Sequence, residues 1–148
     1  MDRTPNGKLH VVSMAGLIGA DYRLPSIDYA HIFQVCAMLT HSVAELWKVY
    51  RLMVFNYLIG NKDDHAKNFS FIYRDVDWHF ALVYDLLSSD GINGFRTTSI
   101  NDKIEPTKEY LFAVAVKAGL NEQEADVIFD RIDTIVRRKE DVVANGMK

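Results

Sequence analysis

The sequence predicts a mainly α-helical domain of α+β type that carries one small β-hairpin. Four segments repeat apolar residues at three- and four-residue steps, with polar starts and, in two cases, glycine stops, the pattern of capped amphipathic helices. A pair of short aromatic and β-branched runs, residues 69–73 and 78–83, flanks the polar turn Arg74-Asp75-Val76-Asp77 and reads as a hairpin. With 148 residues and 49% apolar content, the chain has the size of one domain and the material for a core.

In order, Pro5-Asn6-Gly7 punctuates a turn-rich entry over residues 1–8. Leu9 to Met14 reads as a short strand. Residues 15–26 read as a loop, with Gly16, Gly19 and Pro25, which pushes Leu24 away from helix. The first helix spans Ile27 to Leu39, with Asp28 as its cap and Ile32, Val35, Cys36 and Leu39 on one face. The next begins at Ser42, whose pairing with Glu45 in S-V-A-E predicts a capping box. Leu46, Val49, Tyr50, Met53, Val54, Tyr57 and Leu58 form its apolar stripe, and Gly60 ends it.

After the hairpin, residues 88–106 are polar and turn-rich, with Asp90-Gly91 and Asn93-Gly94 as turn signals. A helix follows from Thr107 to Ala118, stopped by Gly119. Asn121 with Glu124 starts the last helix, which runs to about Ala144 on a stripe of Ala125, Ile128, Ile132, Ile135 and Val142. Arg137, Arg138 and Lys139 sit late in it, where positive charge suits the helix dipole.

A net charge of −3 gives no general electrostatic case for nucleic-acid binding. Cys36 is the one cysteine, so no intrachain disulfide forms, which suits a cytoplasmic setting. The polar N-terminus lacks the apolar segment of a signal peptide, and no apolar run approaches the ~18–20 residues of a membrane span.

Chemistry concentrates between Leu58 and Asn68, L-I-G-N-K-D-D-H-A-K-N, at the end of the best helix and ahead of the hairpin. Burying unpaired charges costs several kcal/mol each, so such a loop is exposed, metal-bound or catalytic. Asp63 and Asn68 have the D-x-x-x-x-N spacing of a protein-kinase catalytic loop, where the Asp accepts a hydroxyl proton and the Asn helps hold Mg²⁺. A second metal-binding Asp is needed after an intervening hairpin, and Asp85 in V-Y-D-L-L-S-S stands there. If Asn68 and Asp85 share an ion with metal–oxygen bonds of about 2.1 Å, their oxygens lie at most ~4 Å apart. His65 can touch phosphate or anchor the loop, and Lys67 can offset phosphate charge or face water. Two rival readings stand beside this one. In the first, Asp63 and Asp64 are solvated acids and Asn68 a turn residue. In the second, Asp63, Asp64 and His65 form a metal-hydrolase site. The other histidines, His10, His31, His41 and His79, show no metal-ligand spacing.

The stretch Gly60-Asn61-Lys62-Asp63-Asp64-His65-Ala66-Lys67-Asn68-Phe69-Ser70, followed by Tyr84-Asp85-Leu86-Leu87-Ser88, resembles the HipA family of bacterial serine/threonine kinases. That family has a G-N-x-D-x-H-x-K-N catalytic loop and a metal-binding Asp in a Y-D-L/I-x-S context, and is the toxin half of toxin–antitoxin pairs linked to persistence. Ala20-Asp21-Tyr22-Arg23 and Pro25-Ser26-Ile27-Asp28-Tyr29 are similar to the segment before its core helices. The resemblance covers essentially the whole chain. It implies the helical C-terminal lobe of a protein-kinase-like fold over residues 1–148, ATP as substrate and Mg²⁺ as cofactor. By the same resemblance Asp63 is the catalytic base, Asn68 and Asp85 are metal ligands, and His65 and Lys67 lie toward the nucleotide.

The partners it implies are a protein substrate, an N-terminal ATP-binding lobe and a HipB-like antitoxin. The glycine-rich phosphate loop and ATP-binding Lys of that lobe are not in this sequence. Asp2-Arg3 resembles the tail of the family's hinge motif F-D-R, so the chain reads as beginning at the hinge. The expectation is that the isolated chain is inactive. The alternative is a non-catalytic lobe that acts as an antitoxin-binding or other protein-interaction module.

Overall fold

The structure is a computed structural model that describes residues 2–4, 7–19, 27–61, 66–81, 98–99 and 106–146. Its elements are β1 (Asp2–Thr4), β2 (Gly7–Ser13), α1 (Met14–Ile18), β3 (Ile27–Asp28), α2 (Tyr29–Thr40) and α3 (Val43–Leu58). They continue with β4 (Ser70–Arg74), β5 (Asp77–Phe80), β6 (Thr98–Ser99), α4 (Lys108–Lys117) and α5 (Glu122–Gly146). The mainly helical expectation holds, and all four predicted helices are present.

α3 is the centre of the domain. No Gly or Pro interrupts residues 43–58, and its stripe of Leu46, Val49, Tyr50, Met53 and Val54 is buried as the spacing predicts. α2 and α5 pack against it, and α4 packs on α5. The Tyr50 hydroxyl donates to the Ala125 carbonyl at 3.0 Å, which ties α3 to the start of α5. Lys108 pins α4 to α5, with its ammonium 2.8 Å from Asp126, 3.3 Å from Asp130 and 4.5 Å from the Phe129 ring centre.

The helix ends follow known chemistry. Asp28 Oδ1 accepts from the Ala30 N–H at 2.7 Å, the predicted cap of α2. At the end of α4, Gly119 takes φ +83°, its N–H reaches the Val116 carbonyl, and the Leu120 N–H reaches Ala115, a Schellman closure. Asn121 Oδ1 caps α5 through the Glu124 N–H.

Five expectations need correction. The hairpin is not alone: β2 pairs with β4, giving an antiparallel sheet in the order β1-β2-β4-β5. Val11 and Val12 there face Ile72 and Phe71 across the ladder. Residues 14–18, read as strand end and loop, form α1, because Ser13 Oγ accepts from the Gly16 N–H at 3.2 Å and starts a helical turn. The capping box is absent, because Ser42 makes no side-chain cap bond and Glu45 is drawn into the core by better donors. Finally, the buried stripe of α5 runs through Ala125, Phe129 and Val136, while Ile135 and Val142 are exposed. α5 continues to Gly146, so Arg137 lies ahead of the last turn and pairs with Asp133 at 2.8 Å rather than with the helix end.

The loop predicted over 88–106 lies outside the described residues except at 98–99 and 106. Thr98–Ser99 form a short parallel pairing with Ile27–Asp28.

Candidate active site

The segment that carries the candidate chemistry runs from the end of α3 to the start of β4. Its first shoulder is built by the helix end. Gly60 takes φ +67°, a left-handed conformation that glycine adopts without the Cβ penalty. The Gly60 N–H donates to Tyr57 and the Asn61 N–H to Asn56 at 2.9 Å, so two carbonyls of the last turn are closed in a Schellman motif. The side chains repeat the link: Asn61 Nδ2 donates to Asn56 Oδ1 at 3.2 Å, and Asn56 Nδ2 donates to the Tyr29 hydroxyl at 3.1 Å. Asn56 and Asn61 are 1% and 2% exposed, so this amide chain lies in the core.

The second shoulder is held by α1. The Met14 N–H donates to the Phe69 carbonyl at 2.8 Å and the Ala15 N–H to the Ala66 carbonyl at 3.2 Å. These are first-turn donors that have no partner inside their own helix. Phe69 is fully buried, and its ring meets the Tyr29 ring edge-on at 5.6 Å.

Between the shoulders, Lys67 is exposed and Asn68 half-buried, next to the buried Phe69 and Ser70 at the start of β4. Asp63, Asp64 and His65 lie outside the described residues, as does Asp85. The Asn68–Asp85 separation therefore falls on one described residue and one that is not. Ala81, four residues before Asp85, is held where its N–H donates to the Ser70 carbonyl at 2.8 Å.

β5, the strand that leads toward Asp85, is tied to α3 by Glu45. The Glu45 carboxylate is 7% exposed by residue. It accepts from the Phe80 N–H at 2.9 Å and from Lys48 at 2.7 Å, and His79 Nδ1 lies 3.4 Å away. Burial alone pushes this carboxyl up, but the bonds from Lys48, the Phe80 N–H and His79 outweigh it and hold it below the ordinary glutamate value.

Sequence reasoning passed over Tyr29 and Asn56. The signal was present in part: Asn56 falls three residues after Met53 and seven after Val49, on the apolar face of α3, where an amide needs a partner. Glu45, a capping-box residue by its spacing, instead bonds the Phe80 N–H and Lys48.

The domain is similar to known proteins along most of its length. A protein of Sinorhizobium fredii named "Putative kinase Y4dM" is 35% identical over 131 residues, covering 82% of this chain and 32% of that protein. The serine/threonine-protein kinase toxin HipA of Shewanella oneidensis is 25% identical over 121 residues, covering 80% of this chain and 28% of that protein. This chain thus spans about a third of the length of these relatives. In a solved structure of HipA with HipB and operator DNA from the same organism, one chain superposes with a TM-score of 0.74 at 19% identity, covering 93% of this chain and 38% of that one. The fold is therefore that of a HipA-type, kinase-like C-terminal lobe. Residues 1–139 match the family described as the HipA-like C-terminal domain, and the chain belongs to that family.

Proposed function

We propose that this domain is the C-terminal catalytic lobe of an ATP- and Mg²⁺-dependent serine/threonine protein kinase. The observation that carries the reading is the anchoring of the segment around Asp63: a Schellman closure and buried amides hold one end, and the N-terminus of α1 holds the other. Phosphoryl transfer asks a protein mainly to position groups and offset charge, and a loop fixed at both shoulders meets the first demand.

In this reading the substrate hydroxyl oxygen attacks the γ-phosphorus and gives its proton to the Asp63 carboxylate. The new O–P bond forms as the bond to the β-phosphate oxygen breaks, and ADP leaves with that electron pair. Asn68 and Asp85 offer hard oxygen donors, the type that Mg²⁺ takes, and Asn68 is half-buried two residues before β4. An ion held by them would supply charge neutralisation to the phosphates. By the family resemblance, His65 and Lys67 are the side chains that would offset part of the nucleotide's negative charge.

A second reading is a protein-interaction module, such as an antitoxin-binding surface. The similarity to a HipA solved with HipB supports an antitoxin partner of HipB type for the protein that carries this domain. Among the described residues no helix is long and apolar enough to cross a membrane. We place the activity in the cytoplasm, with no direct nucleic-acid contact by this domain. The test is transfer from γ-labelled ATP after the chain is joined to an ATP-binding lobe of a relative. Mg²⁺-dependent transfer that Asp63→Ala lowers by ~10²–10⁴ supports the kinase. Antitoxin binding with no transfer by any such fusion supports the module.

A further inference from the structure

We infer that Tyr29 and Asn56 form a buried strut that sets the span of the candidate catalytic segment, and that both are positioning residues for the kinase reaction. The inference rests on the kinase reading above for its consequence, though not for its geometry.

Tyr29 is fully buried at the first turn of α2, a different element from either end of the segment. Its hydroxyl receives the Asn56 amide, which in turn receives the Asn61 amide, so one end of Tyr29 reaches the entry shoulder. Its ring meets Phe69 edge-on, with an interplanar angle of 82°, so the other part of the same side chain reaches the exit shoulder. One rigid aromatic residue thus touches both sides of the segment that carries Asp63, His65, Lys67 and Asn68. The β3–β6 pairing at Ile27–Asp28 and the Asp28 cap fix the backbone just before it. Asn56, at 1% exposure, and Tyr29, at 0%, cannot reach a substrate themselves. Buried amides accept few alternative geometries, because each unmade bond in a dry core is costly. A hydrophobic pair at 29 and 56 can fill the same volume and keeps the Asn61 N–H bond to the residue-56 carbonyl, but it removes the side-chain link from Asn61 through Asn56 to Tyr29. The polar strut therefore specifies where the segment begins relative to where it ends.

The test uses Tyr29→Phe, which keeps the ring and its Phe69 contact while deleting the acceptor, with Asn56→Ala as a second variant. Val49→Ala, a fully buried change on the same helix, is the control for a general loss of packing. In the 148-residue chain, hydrogen exchange of amides 60–69 should quicken by about 10-fold in both strut variants while α4 and α5 stay at the wild-type rate. Val49→Ala should not single out 60–69. In the active fusion, Tyr29→Phe should lower kcat by about 10-fold with KM for ATP unchanged, and Val49→Ala should leave kcat alone well below its melting temperature. Exchange that rises evenly along the chain in Tyr29→Phe, or a kcat loss matched by Val49→Ala, overturns the strut. Absence of transfer by the wild-type fusion refutes the kinase reading instead, and the exchange pattern still decides the strut.

Discussion

Removing the Glu45 carboxylate should unhook β5 from α3 and cost the domain a measurable share of its stability. In Glu45→Ala the Phe80 N–H, 2.9 Å from Oε2 in the native fold, loses its acceptor inside the core. An unsatisfied buried donor costs about 1–3 kcal/mol. Lys48 is 47% exposed by side chain and can return to water, so its ion pair adds only ~0–1 kcal/mol. The sum is roughly 1–4 kcal/mol, which for a domain of this size lowers the melting temperature by roughly 2–16 °C. Glu45→Gln keeps an oxygen for Phe80 and should lose only about 1 kcal/mol. The pH dependence has a definite sign. The folded carboxyl sits below its ordinary value of 4.5, so its contribution is present above that pH and fades as pH falls through the lower, folded value. The gap between wild type and Glu45→Gln should therefore narrow in acid. Thermal melts by circular dichroism from pH 7 down to about pH 3 measure both effects. A Glu45→Ala melt within about 1 °C of wild type, or a gap that does not narrow in acid, refutes the argument.

Further outcomes follow from single observations. Val76 holds φ +64° and Asp75 φ +54° in the two-residue turn between β4 and β5, where a β-branched residue is strained, so Val76→Gly should stabilise the domain by about 1 kcal/mol in urea titration. Cys36 is fully buried and its thiol is pushed up to about 11, mainly by burial, so it should react with Ellman's reagent at pH 8 only on unfolding; rapid native labelling contradicts this. Tyr50→Phe removes the bond to the Ala125 carbonyl and should cost about 1 kcal/mol, read as a shift in denaturation midpoint without a change in slope. The isolated 148-residue chain should bind Mg²⁺–ATP weakly by calorimetry, because in the proposed kinase reading Asp63, Asp64 and Asp85 add like charge beside the nucleotide and these 148 residues hold no glycine-rich phosphate loop to offset it. Tight binding contradicts that.

The helices were legible because their signals are local. Asp28 and Gly60 act within one turn, and the stripe of α3 needs only a 3.6-residue period. The sheet was half legible: the hairpin turn is a sequence neighbourhood, but the pairing of His10–Ser13 with Ser70–Tyr73 joins residues far apart in the chain, and no spacing rule encodes that. Glu45 shows the same limit in one side chain. S-V-A-E is a capping box by its letters, yet the Phe80 N–H, distant in sequence, offers the carboxylate a buried bond that Ser42 does not. The α5 stripe departs from its spacing past Ile132: Phe129 packs on Tyr57 of α3 and Val136 is buried, while Ile135 lies in water. At the candidate site, the letters D-x-x-x-x-N mark chemistry but not its support; Tyr29 and Asn56 support it from two other elements.

The central claim, that Asp63 is the base of a phosphotransferase completed by Asn68 and Asp85, is tested most directly by phosphotransfer in the fusion with an ATP-binding lobe. Wild type, Asp63→Ala, Asn68→Ala and Asp85→Ala are compared with γ-labelled ATP at stepped Mg²⁺. The account predicts Mg²⁺-dependent labelling of a serine or threonine in wild type. It predicts loss of at least ~10²-fold in Asp63→Ala at any Mg²⁺, and partial recovery of the two ligand variants as Mg²⁺ rises. Wild-type rates in Asp63→Ala contradict it.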